Sequence, residues 1–156
     1  MNVEIQKLTK RDTDYFSELI QVFKETFEWE NFSLPTNIHL QRLLKNKSFI
    51  VFVAKKDQNI IGGLTAHVIE RYDSEKPSAY IYDIAVVSKY QRKGIGKLLI
   101  EKLNNYCEKK GFSEVFVQAE TDDQQAVNFY RTTPNTSELQ ATHFTYSFNQ
   151  VADNGE

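Results

Sequence analysis

The sequence predicts an α/β domain built on one mixed β-sheet. Three observations carry that expectation. Segments with the two-residue alternation of strands interleave with segments of helical period, one strand runs through a basic, glycine-containing turn into a helix, and no linker, repeat or composition break divides the 156 residues. The apolar share, 40%, supplies one core of ordinary size, so residues 1–149 read as a single domain and residues 150–156 as a polar tail.

Val3, Ile5 and Leu8 suggest a short opening strand, and Phe16, Leu19, Ile20, Phe23 and Phe27 then fall on one helical face, with Asp12 or Thr13 as its cap. A second short helix is expected over Thr36–Leu44. Strands over Ser48–Ala54 and Ile60–Ile69 are expected to form a hairpin through the five residues Lys55–Asn59. Gly62 and Gly63, inside the second of these strands, point to a bulge or to close approach by another backbone. A strand over Ala79–Val87 leads to the clearest helix, Gly94–Lys110, with Ile95, Leu98, Leu99, Leu103, Tyr106 and Cys107 on one face and Gly111 as its stop. Val115–Ala119 reads as a strand, Asp122–Arg131 as a helix, and Leu139–Phe148 as a last strand or strand pair. The order is β-α-α-β-β-β-α-β-α-β.

Composition narrows the function classes. With 19 basic and 21 acidic residues the net charge is −2, so the chain lacks the basic surplus of a general nucleic-acid binder. The longest apolar run, Phe49–Ala54, is far shorter than the ~20 residues of a membrane span. Met1–Ile5 does not read as a secretory signal, and a lone Cys107 excludes an intrachain disulfide, so a reducing cytoplasm is the expected compartment. The charge is uneven, however: Ile84–Ile100 holds no acid and four cations, Lys89, Arg92, Lys93 and Lys97.

Those cations sit where the strand passes through Gln91-Arg92-Lys93-Gly94-Ile95-Gly96-Lys97 into the helix. The first amides of a helix lack intrahelical acceptors and stand at the positive end of its dipole, and glycine lets a bulky anion approach the backbone. Cations in a first turn oppose the dipole, a conflict that a bound polyanion removes; the plain alternative is a solvated basic face on an ordinary turn. A Walker loop is excluded, because Leu98 follows Gly96-Lys97. A dinucleotide fingerprint is excluded as well, because Leu99 occupies the third glycine position.

The remaining pattern, Gln91-x-x-Gly94-x-Gly96 between strand and helix, resembles the acetyl-coenzyme A pyrophosphate loop of the GNAT family of N-acetyltransferases, and the element order is similar over nearly the whole chain. The resemblance implies the acyl-CoA N-acyltransferase fold, a mixed central sheet flanked by about four helices. It implies acetyl-CoA as cofactor, Gln91, Arg92, Lys93, Gly94, Ile95, Gly96 and Lys97 as its cradle, and Asn128 beside it. It also implies that backbone amides of Ile84, Ala85 and Val86 hold the thioester carbonyl. Within the family, Tyr80–Val86, Val117–Val127 and Phe49–Leu64 resemble the aminoglycoside 3-N-acetyltransferases of the gentamicin or fortimicin type, from about Phe23 to Tyr130. The segment Arg131-Thr132-Thr133-Pro134-Asn135-Thr136 departs from the Lys-Leu-Gly-type helix end common there.

Acetyl transfer to an amine needs a base for the ammonium proton, support for an oxyanion, and a proton for the leaving thiolate. Strict alternation puts Asp83 with Ile81, Ala85 and Val87, apart from Tyr80, Tyr82 and Ile84, and a carboxylate among apolar neighbours suits a base. Asp83 is the candidate base, directly or through water; a structural acid is the alternative. Tyr130, in Asn128-Phe129-Tyr130, is the candidate acid, where the family places a tyrosine near the cofactor sulfur; a core aromatic is the alternative. Glu28, Glu30, Tyr82, Asp83, Glu120, Asp122 and Asp123 are candidates for receiving a cationic acceptor, although helix capping accounts equally for Asp122 and Asp123, and a solvated loop for Glu28 and Glu30.

His39 reads as surface, His67 and His143 as strand residues and Cys107 as core, and no metal site is expected. The best reading is an enzyme acetylating a primary amine of a polycationic small molecule, most simply the 3-amino group of an aminoglycoside. Polyamine, metabolite amine or protein lysine acceptors and a non-catalytic acyl-CoA sensor stay open. A homodimer is a family-level expectation.

Overall fold

A computed structural model describes residues 2–148. A five-stranded sheet has the order β1 (Glu4–Lys7), β2 (Phe49–Lys56), β3 (Asn59–Ile69), β4 (Ser78–Val86) and β5 (Glu114–Val117). Successive pairs are antiparallel except β4 with β5, which is parallel. Helices α1 (Thr13–Thr26) and α2 (Asn37–Lys45) precede the hairpin. A short 3-10 turn (Ser88–Tyr90) and α3 (Ile95–Lys109) follow β4, and α4 (Gln124–Arg131) follows β5.

The helices cover both faces of the sheet. Phe16, Leu19, Ile20, Val22 and Phe23 of α1 and Leu40 of α2 pack with Val51, Val53, Ile60 and Ala85. On the other face Ile95, Leu99, Ile100, Leu103 and Cys107 of α3 pack with Ile50, Phe52, Leu64, Ala66 and Ile81. The expected apolar stripes are largely these, with two exceptions: Phe27 is 40% exposed, and Ile100 rather than Leu98 completes the buried face of α3. Thr36 caps α2 by accepting from the His39 amide, whereas Asp12 caps nothing with its side chain and instead binds Thr9.

Two local expectations are corrected. The β2–β3 connection is the two-residue turn Asp57–Gln58, not five residues, because both central residues adopt positive φ (52° and 67°) and let the ladder run on to Lys56 and Asn59. Leu139–Phe148 forms no strand, and so His143 is not a strand residue. The segment has a strand's alternation, yet a strand needs a hydrogen-bonding partner, and none of the described residues supplies one. Residues 150–156 lie outside the described residues. Gly62 and Gly63 mark close approaches as expected: a β-carbon at Gly62 would lie 2.8 Å from the Ala85 carbonyl oxygen, and one at Gly63 would lie 2.6 Å from Leu19 Cδ1.

A bulge in β4 positions the site. Thr65 pairs with Asp83 and Ala66 with Ile81, so Tyr82 is the extra residue of the bulge. The register places Asp83 beside Thr65 and Val51, and Tyr80 beside His67 and Phe49, all toward α1 and α2. Ile81 points to the α3 side with Ala66 and Ile50. Asp83 therefore shares a face with Ala85, as strict alternation has it, but also with Tyr80 and not with Ile81, since the extra residue inverts the parity.

Candidate active site

β4 and β5 pair only as far as Ile81 and Val117. β4 continues to Val86 against β3 alone, so its other edge is open over the five residues after Ile81 among the described residues. The Val87 amide donates to the Ile61 carbonyl on β3 (2.8 Å), so the neighbouring peptide groups of Val86 and Ile84 turn the opposite way, into the gap. Gln91 confirms this direction, its Nε2 donating to the Val86 carbonyl at 2.8 Å. Ala85 differs from its neighbours: its carbonyl faces β3 beside Gly62, so the amides facing the gap are those of Ile84 and Val86.

At the end of β4 the chain turns through two left-handed residues, Arg92 (φ 61°) and Gly94 (φ 83°), on either side of Lys93. Gly94 is the N-cap of α3, with no side-chain cap, and the first helical bond runs from the Leu98 amide to the Gly94 carbonyl. The amides of Ile95, Gly96 and Lys97 precede that bond and face outward at the positive end of the helix. A β-carbon at Gly94 would meet nothing within 4 Å, so the cradle opens onto free space. No acid stands in the first turn of α3, and Lys89 and Lys93 lie over the Tyr90 ring at 5.2 and 5.9 Å from its centre. Alternating hands of backbone with outward amides and nearby cations suit a pyrophosphate. Gln91 serves the loop differently from its neighbours, because its side chain and its amide, which donates to Ser88, are both spent on holding the turn to the strand.

α4 closes the gap from the α3 side. A β-carbon at Gly96 would lie 2.9 Å from Phe129 Cζ, so the glycine is what lets α4 lie against the cradle. Asn128 is exposed on α4, and Tyr130 is partly buried against the α3-side core. The Tyr130 phenol is pushed up to about 12, first by burial and then by the negative charges of Asp83 and Asp123 and by Tyr80. Asp83 lies on the opposite face of the sheet, yet its charge reaches Tyr130. The two candidate catalytic groups thus interact electrostatically from opposite faces of the sheet.

The candidate acceptor residues divide. Tyr82, 45% exposed, is adjacent to Asp83 and sits in a row of rings running Phe49, His67, Tyr82, Tyr80 and Phe116, with neighbouring centres 4.9–6.1 Å apart. Sequence reading missed this row because the bulge that brings Tyr80, Tyr82 and Asp83 together breaks the period by which faces are assigned. Asp123 caps α4, accepting from the Ala126 amide at 3.1 Å, so capping accounts for one carboxylate; Glu120 and Asp122 are exposed nearby. Glu28 and Glu30 are exposed on either side of Trp29, whose ring packs between Phe27 and Phe32. Among the described residues no cluster of His, Cys, Asp and Glu could hold a metal ion, and no helix is long and apolar enough to cross a membrane.

Residues 13–133 match the family model described as Acetyltransferase (GNAT) family. A crystal structure of an aminoglycoside acetyltransferase, meta-AAC0020 from an uncultured soil metagenomic sample, in complex with sisomicin is 48% identical, with TM-score 0.92, over 94% of this chain and 97% of that one. A second aminoglycoside acetyltransferase, HMB0005, also from an uncultured soil metagenomic sample, is 29% identical with TM-score 0.88 over 96% of this chain and 100% of its own. The chain is also 28% identical over 74 residues to the Drosophila melanogaster protein named Probable N-acetyltransferase san, a match spanning 47% of this chain and 40% of that relative.

Proposed function

The chain belongs to the GNAT acetyltransferase family, with its acyl-CoA N-acyltransferase fold and its cofactor acetyl-CoA, and from that premise we propose that it acetylates a primary amine of an aminoglycoside, the 3-amino group, by direct attack in a ternary complex. The observation that carries the substrate class is the sisomicin complex of a neighbour 48% identical over nearly the whole chain. The choice of the 3-amino group rests on the resemblance of Tyr80–Val86 and Val117–Val127 to the 3-N-acetyltransferases.

Acetyl-CoA supplies the activated acetyl group as a thioester. The amides from Arg92 to Lys97 hold its pyrophosphate, with Arg92, Lys93 and Lys97 adding positive charge and Gln91 keeping the turn docked on Val86. Asn128 borders the cofactor from α4. The gap-facing amides of Ile84 and Val86 receive the thioester carbonyl and stabilise charge developing on its oxygen. Asp83 takes one proton from the ammonium, so that nitrogen attacks carbon, the N–C bond forms and the C–S bond breaks. The departing sulfur is protonated from Tyr130, and the second nitrogen proton restores the phenol. Atoms and charge balance as amide, free thiol and one released proton. Tyr82 and the carboxylates of Glu28, Glu30, Glu120 and Asp122 face the acceptor's ring and remaining ammonium groups, with Asp123 contributing its charge from the α4 cap. The biological counterpart is antibiotic resistance in a reducing cytoplasm, and residues 1–149 form the acting domain.

The test is acetyl-CoA-dependent thiol release by the purified protein with sisomicin, gentamicin, spermidine and a lysine peptide, with the acetylated position assigned by NMR. Release with the two aminoglycosides and acetylation at the 3-amino group is expected. Release with spermidine or the peptide alone would move the acceptor class, and cofactor binding without release on any amine would make the protein an acyl-CoA sensor.

A further inference from the structure

The histidines differ in what their rings touch. His39, on α2, is engaged by Arg42, whose Nη2 donates to its Nδ1 at 3.1 Å. His67, exposed near the end of β3, is instead held between two rings: its centre is 5.2 Å from that of Phe49 on β2 and 5.6 Å from that of Tyr82 on β4, the latter edge-on at 88°. Among the described residues no ion pair engages the His67 imidazole. The register carries it to the side of the candidate base. Thr65 stands opposite Asp83, and His67 follows on the same face two residues on, opposite Tyr80, which is about 7 Å along the strand.

An imidazole wedged between rings presents its nitrogens in a nearly fixed direction, so little rotamer freedom is lost when a ligand binds them. In its neutral form it has one N–H donor and one lone pair, a match for the hydroxyl and ammonium groups of an amino sugar. Burial lowers the pKa from 6.5, so the lone pair is present at pH 7. β2 places the uncharged Phe49 ring against it, and β4 places the phenols of Tyr80 and Tyr82 and, one β3 step away, the Asp83 carboxylate.

We propose that His67 is a specificity-determining residue of the acceptor site, accepting a hydrogen bond from an ammonium group of the aminoglycoside other than the one acetylated. The inference rests on the aminoglycoside reading of this site. His67 then governs acceptor affinity and leaves cofactor binding and the chemical step alone. A proton on the ring removes the lone pair and sets a like charge against the acceptor, so acidification weakens acceptor binding, and by linkage a bound acceptor lowers the midpoint of the imidazole further.

Initial rates with sisomicin and acetyl-CoA, measured on the wild type and two variants, test it. His67→Phe keeps the wedge and removes both nitrogens; at pH 7 the KM for sisomicin is expected to rise about tenfold, the loss of one hydrogen bond to a charged group, with kcat and the KM for acetyl-CoA unchanged. His67→Gln keeps an acceptor that does not titrate, and is expected to stay close to the wild-type KM at pH 7. Between pH 7 and about pH 5.5 the wild-type KM for sisomicin is expected to rise relative to that of His67→Gln, a ratio from which the titration of Asp83 cancels. The imidazole NMR signal of the wild type is expected to titrate at lower pH with sisomicin bound. A wild-type KM in His67→Phe, parallel pH profiles, or an unmoved NMR midpoint would overturn the proposal while turnover of sisomicin left the aminoglycoside reading standing. Thiol release by the wild type with spermidine or a lysine peptide but not with sisomicin would overturn that reading, and the role of His67 with it.

Discussion

Gly96 and Phe129 are in such close contact that the glycine has room for a hydrogen only: a β-carbon would stand 2.9 Å from Cζ and 3.0 Å from Cε1 of the ring. The contact ties the first turn of α3, part of the proposed anion cradle, to α4, which carries Tyr130 next in sequence.

Gly96→Ala is expected to destabilise the fold by about 1–3 kcal/mol through overpacking, net of the roughly 1 kcal/mol that alanine contributes by helix propensity. Gly96→Ala/Phe129→Leu is expected to recover part of the loss. Urea unfolding of the two variants measures both; a more stable single variant would show that the ring moves aside freely.

Tyr130→Phe keeps the ring and removes the proton. A fall in kcat of about 10²–10⁴-fold is expected from loss of general acid catalysis, with little change in the KM for acetyl-CoA. Because the phenol is pushed up to about 12, its ionisation contributes no falling limb to the wild-type rate in the neutral or mildly alkaline range. Initial rates across that range, together with the variant's kcat, check both statements.

Cys107 is 1% exposed, and burial pushes its thiol from 9.0 up to about 11. Below pH 9 the thiol is protonated in both states and its contribution to stability is constant. Between about 9 and 11 the unfolded chain releases a proton that the folded chain retains, so stability falls as pH rises, by at most about 1.4 kcal/mol per pH unit for one proton. Cys107→Ala is expected to lower stability at pH 7 by leaving a cavity and to flatten this alkaline slope. Urea titrations at pH 8, 9 and 10 compare the slopes.

What was legible in the sequence follows from what is local. The helices read correctly because the apolar faces of α1 and α3 are periodic, and the turn between β4 and α3 because glycine and polar residues coincide within Gln91–Lys97. The site's remaining geometry depends on partners far along the chain. The Tyr82 bulge appears only when β4 is set against β3, and the clamp of Gln91 on Val86 depends on the direction of a carbonyl. The packing role of Gly96 depends on a ring 33 positions later. Alternation over Leu139–Phe148 suggests a strand that the structure does not show, because periodicity names a strand without naming its partner.

The bulge turns Asp83 onto the face of Tyr80 and His67 and within electrostatic reach of Tyr130. The most direct test is kcat for Asp83→Asn with sisomicin and saturating acetyl-CoA. Asparagine preserves shape and removes the base, so a loss of about 10²–10⁴-fold is expected, with unfolding midpoint and acetyl-CoA affinity unchanged. Wild-type turnover by a folded, acetyl-CoA-binding variant would contradict the assignment of Asp83 as the group that takes the ammonium proton.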